Sequence, residues 1–150
     1  MATVSPSWAY TLQLPHDPRA PGIARATLRT ILAAHGLNDL TPTAELLAAE
    51  LLTNAHLHTS GPYALRIRST APERLVVAVW DTDPKVPPGF TEGASTAVLP
   101  PQDAENGRGL HLVRACADAW GASVLRELGA SKGGKLLWAE CTGRTVSGVT

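Results

Sequence analysis

Residues 50–58 read ELLTNAHLH, and the direction in which this stretch faces decides the fold. An α-helix advances about 100° per residue, so Glu50, Asn54 and His58, each four apart, lie nearly in line. With Leu47 as zero, Leu51 falls at about +40°, Ala55 at about +80°, Leu46 at about −100° and Leu57 at about −80°, which outlines an apolar arc. Asn54 at about −20°, His58 at about +20° and Glu50 at about −60° lie inside that arc, while Glu45, Ala49 and His56 take the back. The polar stripe is therefore expected to face a sheet, or a cavity beside it, rather than water. Burying a carboxylate and an amide is costly unless each finds a partner. One reading has Asn54 tying down a neighbouring backbone, Glu50 pairing with an arginine and His58 as a satisfied core histidine. The other has Glu50 and Asn54 opening a polar pocket that receives a ligand or a metal ion.

Working outward, Thr41 followed by Pro42 predicts the start of this helix, with a capping hydroxyl and a proline at the first helical position. Ser60-Gly61-Pro62 ends it. Upstream, Trp8, Tyr10, Leu12 and Leu14 alternate with Ala9, Thr11 and Gln13 as in a half-buried strand. Pro18 to Leu37 carries Ile23, Leu28, Ile31 and Leu32 at helical spacing and stops at Gly36. Downstream, Tyr63, Leu65 and Ile67 alternate with Ala64, Arg66 and Arg68, and Leu75 to Trp80 is a continuous apolar strand expected to be covered on both sides. Residues 82–106 hold five prolines and no sustained period, which predicts a long loop of the kind that serves as a lid. A helix over about Leu110 to Ala119 follows, then strands near Ala122 to Leu128 and Lys135 to Cys141, and a tail over 143–150. The order β, α, α, β, β, lid, α, β, β predicts one α+β domain: a two-layer α/β sandwich, with a mixed, mostly antiparallel sheet and helices on one face.

The chain's 150 residues suffice for one domain with its own core, and 13 basic residues balance 13 acidic ones without blocks of either sign. Nothing in that balance points to nucleic acid or a polybasic membrane surface. The N-terminal MATVSPSW lacks the pattern of a secretion signal, and no apolar run is long enough to span a bilayer, so a cytoplasmic location is expected. Cys116 and Cys141 sit among apolar neighbours without metal-ligand spacing and read as reduced core residues.

Further candidates lie where a pocket beside the helix needs them. Asp81 closes the strand LVVAVWD, so its carboxylate emerges at a strand end; the plainer reading is a turn residue. Gly107 and Gly109 open the last helix, where unpaired backbone N–H groups favour an anion such as phosphate.

These residues, in this order, resemble the GHKL superfamily of ATP-binding domains (the Bergerat fold). Within it, the chain is most similar to the small anti-sigma-factor serine/threonine kinases of actinobacterial type. The resemblance covers about residues 8–141. ELLTNAHLH is similar to that family's N box at Glu50, Asn54, Ala55 and His58; VWDTDP occupies the place of the first glycine box and GRGLHLV that of the second. The resemblance implies ATP and Mg²⁺ as cofactors, with Asn54 ligating Mg²⁺ through the phosphates. It implies that Asp81 accepts a hydrogen bond from the adenine amino group. Gly107, Arg108, Gly109 and Leu110 would border the phosphates, His58 would belong to the nucleotide site, and Glu50 would be the general base. The family pattern Asp-x-Gly-x-Gly is replaced by DTDPK, with Asp83 and Lys85 where glycines would stand. Asp83 then reads as a turn residue or a second polar contact.

Three functions are compatible with this resemblance. The first is a serine/threonine kinase that sequesters a sigma factor and phosphorylates a STAS-type antagonist, acting as a homodimer. The second is a nucleotide- or partner-binding switch without kinase activity, favoured by DTDPK. The third, a sensor-kinase catalytic domain or chaperone-like ATPase, is disfavoured because 150 residues leave no space for the accompanying domains.

Overall fold

The computed structural model describes residues 7–88, 90, 108–125 and 133–143. Its elements are β1 (Trp8–Leu14), α1 (Ala20–Ala34), a 3₁₀ turn (Asn38–Leu40), α2 (Thr41–His58), β2 (Tyr63–Ala71), β3 (Arg74–Asp81), α3 (Arg108–Cys116), β4 (Ala119–Leu125) and β5 (Gly134–Thr142). The strands form one sheet in the order β1-β2-β3-β5-β4, and every pairing is antiparallel rather than mixed. The element order and the α+β sandwich match the expectation from the sequence.

Alternation along the strands sorts residues onto two faces. Tyr63, Leu65 and Ile67 of β2, Leu75, Val77 and Val79 of β3, and Leu137, Ala139 and Cys141 of β5 join the core formed with Leu28, Leu32, Leu47, Leu51, Leu52, Leu110 and Val113 of the helices. The other face is a grid set by register: Thr11, Arg66, Ala78, Trp138 and Gly121 lie in one row, and Gln13, Ala64, Trp80, Leu136 and Ser123 in the next. Among the described residues no helix covers it, and it bounds a shallow cavity of about 820 Å³. β3 is thus layered on one side only, contrary to expectation. Its outer residues Val76 and Ala78 are buried all the same, sheltered by the long side chains of Arg66, Arg68, Trp80 and Trp138 that line the same cavity. A Cβ at Gly121 would stand 2.6 Å from the Trp138 ring, so only glycine lets that indole lie flat on β4.

Helix ends follow local chemistry. α1 stops in a Schellman motif: Gly36 has φ +72°, and the N–H groups of Gly36 and Leu37 reach the carbonyls of Ala33 and Leu32 at 3.2 and 2.8 Å. α2 departs from its expected start. The 3₁₀ turn runs straight into it, Thr41 is already helical, and no side chain caps the N-terminus. α3 is displaced towards the N-terminus of its expected span and β4 starts earlier, because Asp118 is fixed to β5. Its N–H meets the Glu140 carbonyl at 2.8 Å, and its carboxylate accepts from the N–H and hydroxyl of Thr142 at 2.8 and 2.9 Å. Cys141 is buried as expected, and its thiol is pushed up to about 12 by burial. Cys116, the last residue of α3, is exposed instead. Among the described residues no helix is long and apolar enough to cross a membrane.

Candidate functional site

The polar stripe starts from the packing of α2. Its buried residues are Ala44, Leu47, Ala48, Leu51, Leu52, Asn54 and Ala55, an arc that runs from Asn54 round to Leu52. The sheet, α1 and α3 all contact α2, and together they set that arc. It is turned away from the side expected: Leu57 is 69% exposed and Leu46 only half-buried. Asn54 therefore sits at the edge of the buried arc, 8% exposed, and Glu50 stands just outside it, half-buried. His58, the last residue of the helix, is exposed; it is not a core histidine.

Among the described residues, neither Asn54 nor Glu50 has a hydrogen bond or ion pair. Arg29 of α1 pairs with Glu45, which lies on a different side of α2 from Glu50. Burial alone holds the Glu50 carboxyl above its ordinary range. The residue Asn54 is largely buried, yet its amide atoms stay open to solvent rather than sealed in the core, so it can reach a group outside the fold.

The C-terminal end of α2 lies beside the end of β3. Tyr63, which follows the α2–β2 turn, meets the His56 ring at 2.8 Å through its hydroxyl. A Cβ on Gly61 would come within 3.2 Å of the Thr82 hydroxyl. Asp81, the last residue of β3, is 1% exposed and faces the helix layer. It thus lies at the same end of the sandwich as Asn54. α3 runs directly into β4 at the opposite end of β5, so its N-terminal turn, Arg108–Leu110, is the part of that helix furthest from the β4 junction. Arg108 and Gly109 are its first two residues, and Leu110 is buried in the core. Gly107 and residues 91–106 of the expected lid lie outside the described residues. The first part of that segment is bound to the core: Phe90 is fully buried and Val86 packs against the same cluster.

A family model described as the histidine kinase-like ATPase domain matches residues 14–139. The chain belongs to that family. No curated protein matches it. Membership implies nucleotide binding, and the matched span contains the N-box stripe, Asp81 and the glycine-opened α3.

Against that background, the end of β3 in this ATPase-family domain has an unusual occupant. Lys135, 2% exposed, faces Asp81 directly across the β3–β5 ladder. Its Nζ donates to Asp81 Oδ1 at 2.9 Å and to the Asp83 carbonyl at 2.9 Å. The Asp83 N–H donates to the same Oδ1 at 2.9 Å, and the Lys85 N–H to Asp83 Oδ1 at 3.0 Å. DTDPK is therefore two overlapping Asx turns, which take over the shaping that glycines would do, and Asp83 is the turn residue. Burial raises the Asp81 carboxyl, opposed by the bonds from Lys135 and Asp83.

Sequence reasoning missed Lys135. A signal existed: it falls in phase with Leu137, Ala139 and Cys141, the inward positions of β5, and a lysine there needs a buried anion.

The residues present suit a hard divalent cation held mainly by phosphate. No cluster of three or more His, Cys, Asp or Glu side chains converges among the described residues, whereas the unpartnered Asn54 amide offers a single oxygen, the usual protein share for Mg²⁺ beside a nucleotide.

Proposed function

We propose that the domain binds Mg²⁺-nucleotide at the end of the sheet where Asn54 and Asp81 meet, and transfers the terminal phosphoryl group to a serine or threonine hydroxyl of a regulatory partner. The observation that carries this reading is an unpartnered, solvent-reaching amide on a largely buried residue, one helical turn from an unpaired, half-buried carboxylate, within a histidine kinase-like domain. Phosphoryl transfer depends on positioning and charge neutralisation more than on covalent catalysis. Bound Mg²⁺ would neutralise the phosphates, and Asn54 is the residue to hold it. Glu50, its carboxyl held above its ordinary range by burial, accepts the hydroxyl proton as that oxygen attacks phosphorus and the nucleoside diphosphate leaves. Backbone N–H groups at the start of α3 are unpaired within the helix and suit phosphate oxygens.

By resemblance, the substrate is a STAS-type antagonist and the sequestered protein a sigma factor. β1, an edge strand with Tyr10 44% exposed, supports a homodimer. A second reading, a switch without kinase activity, is favoured by the engagement of Asp81 with Lys135. Calorimetric titration with ATP, with and without Mg²⁺, tests the site, and Glu50→Gln tests the chemistry. The variant is expected to keep ATP and lose transfer to the antagonist; equal turnover in both proteins removes Glu50 as the base and leaves the switch.

A further inference from the structure

A carboxylate that reads a base must offer an oxygen and its charge. Asp81 offers little of either. Its Oδ1 already accepts from the Lys135 ammonium and the Asp83 N–H, which fills the two lone pairs of that oxygen. Its charge is neutralised at 2.9 Å by a lysine as deeply buried as itself.

Lys135 also has no easy way out. A second N–H is held by the Asp83 carbonyl. The preceding residue, Gly134, is pressed so closely against the end of β3 that a Cβ there would lie 2.3 Å from the Asp81 carbonyl oxygen. Moving the ammonium aside therefore breaks both of its bonds and leaves the Asp81 carboxylate buried with the Asp83 N–H alone.

We infer, resting on the nucleotide reading above, that Lys135 masks Asp81 and that the wild-type domain recognises nucleoside triphosphates through their phosphates, with little choice of base. A neutral amino group bonded to a free carboxylate gains a charge-assisted hydrogen bond, roughly twice as strong as a neutral one. Bonded to Oδ2 of a carboxylate already paired with an ammonium, it loses most of that advantage. Displacing the ammonium is worse, because a neutral donor cannot replace the charge it removes. Lys135 is thus a specificity-determining residue that acts through Asp81, and the phosphate end, built from Asn54 and the start of α3, carries the affinity.

The test compares ATP with ITP, which has an oxygen in place of the 6-amino group, as competitors for a fluorescent triphosphate with Mg²⁺ present. Wild-type protein is expected to bind the two within about threefold of each other, because no unpaired acceptor waits for the amino group. Lys135→Thr is expected to tighten ATP about tenfold or more and to prefer it over ITP by a similar factor, as a free carboxylate regains its bond. Should that variant fail to fold, Lys135→Gln, which can still donate a neutral N–H to Asp81 Oδ1 but leaves the carboxylate its charge, is expected to show the same preference for ATP. Wild-type protein that selects ATP strongly over ITP, or unmasked variants that bind both no better, would overturn the inference while leaving the nucleotide site intact. Absence of triphosphate binding in wild-type and in a folded unmasked variant would overturn the nucleotide reading itself, and the inference with it.

Discussion

Lys135→Met tests the buried end of the site without any ligand. The side chains are of similar length, so the change removes one charge and leaves the Asp81 carboxylate, 1% exposed, with only the Asp83 N–H as donor. Breaking a buried ion pair from one side costs about 3–5 kcal/mol, because the remaining charge keeps its desolvation penalty. With a urea slope of about 2 kcal/mol per molar, the unfolding midpoint should fall by roughly 2 M. Adding Asp81→Asn should return most of the loss, since replacing both members of such a pair is about neutral. The pH dependence fixes the sign. Without Lys135 the Asp81 carboxyl, already raised by burial, rises further, so the variant's penalty is full above that folded value. It fades as pH falls towards the unfolded value of about 3.9, where both states carry the proton. Urea unfolding monitored by circular dichroism at pH 7 and pH 4 measures both effects. A variant within about 1 kcal/mol of wild type at pH 7, or a deficit that grows on acidification, refutes the buried pair as described.

Three further outcomes are expected. Asn54→Leu should leave the ligand-free melting temperature nearly unchanged, because the amide makes no bond within the fold and leucine is of similar size, yet it should abolish the effect of Mg²⁺ on ATP titration; loss of stability instead would mean that the amide serves the fold. Glu50→Gln should be more stable than wild type at pH 7 and nearly equal to it near pH 4, since a carboxyl raised in the folded state costs stability only above the unfolded value of about 4.3, where the unfolded chain releases the proton; identical profiles in urea would contradict its burial. Iodoacetamide should modify Cys116 in the native protein and Cys141 only after unfolding, because the latter is buried with its thiol pushed up to about 12, and peptide mass spectrometry distinguishes the two.

The fold was largely legible because its signals are periodic. Two-residue alternation located β1 and β2, a continuous apolar run located β3, and Gly36 marked the end of α1. What was not legible depended on long-range packing. α2 is apolar on most of its circumference, so angles alone could not say which part α1 and α3 would cover, and Leu57 was assigned to the wrong side. The boundary of α3 was hidden because Asp118 is decided by Thr142 on a distant strand. In the candidate site, the stripe itself singled out Asn54 and Glu50. Asp81 was found by its position at a strand end, but its partner was not: Lys135 lies 54 residues further along, and only the register of β5 brings them together.

That register has a consequence for how the chain can vary. Asp81 and Lys135 close everything between them into one long loop in the polymer sense, and the entropic cost of closing a loop rises only slowly with its length, by about 0.6 kcal/mol for each doubling. Residues inserted between Phe90 and Arg108 would therefore add little to a closure already made by the β3–β5 ladder. The framework that holds the two charges together is nearly indifferent to the length of what it encloses, so the pairing at the neck of the loop does not depend on how many residues separate Phe90 from Arg108.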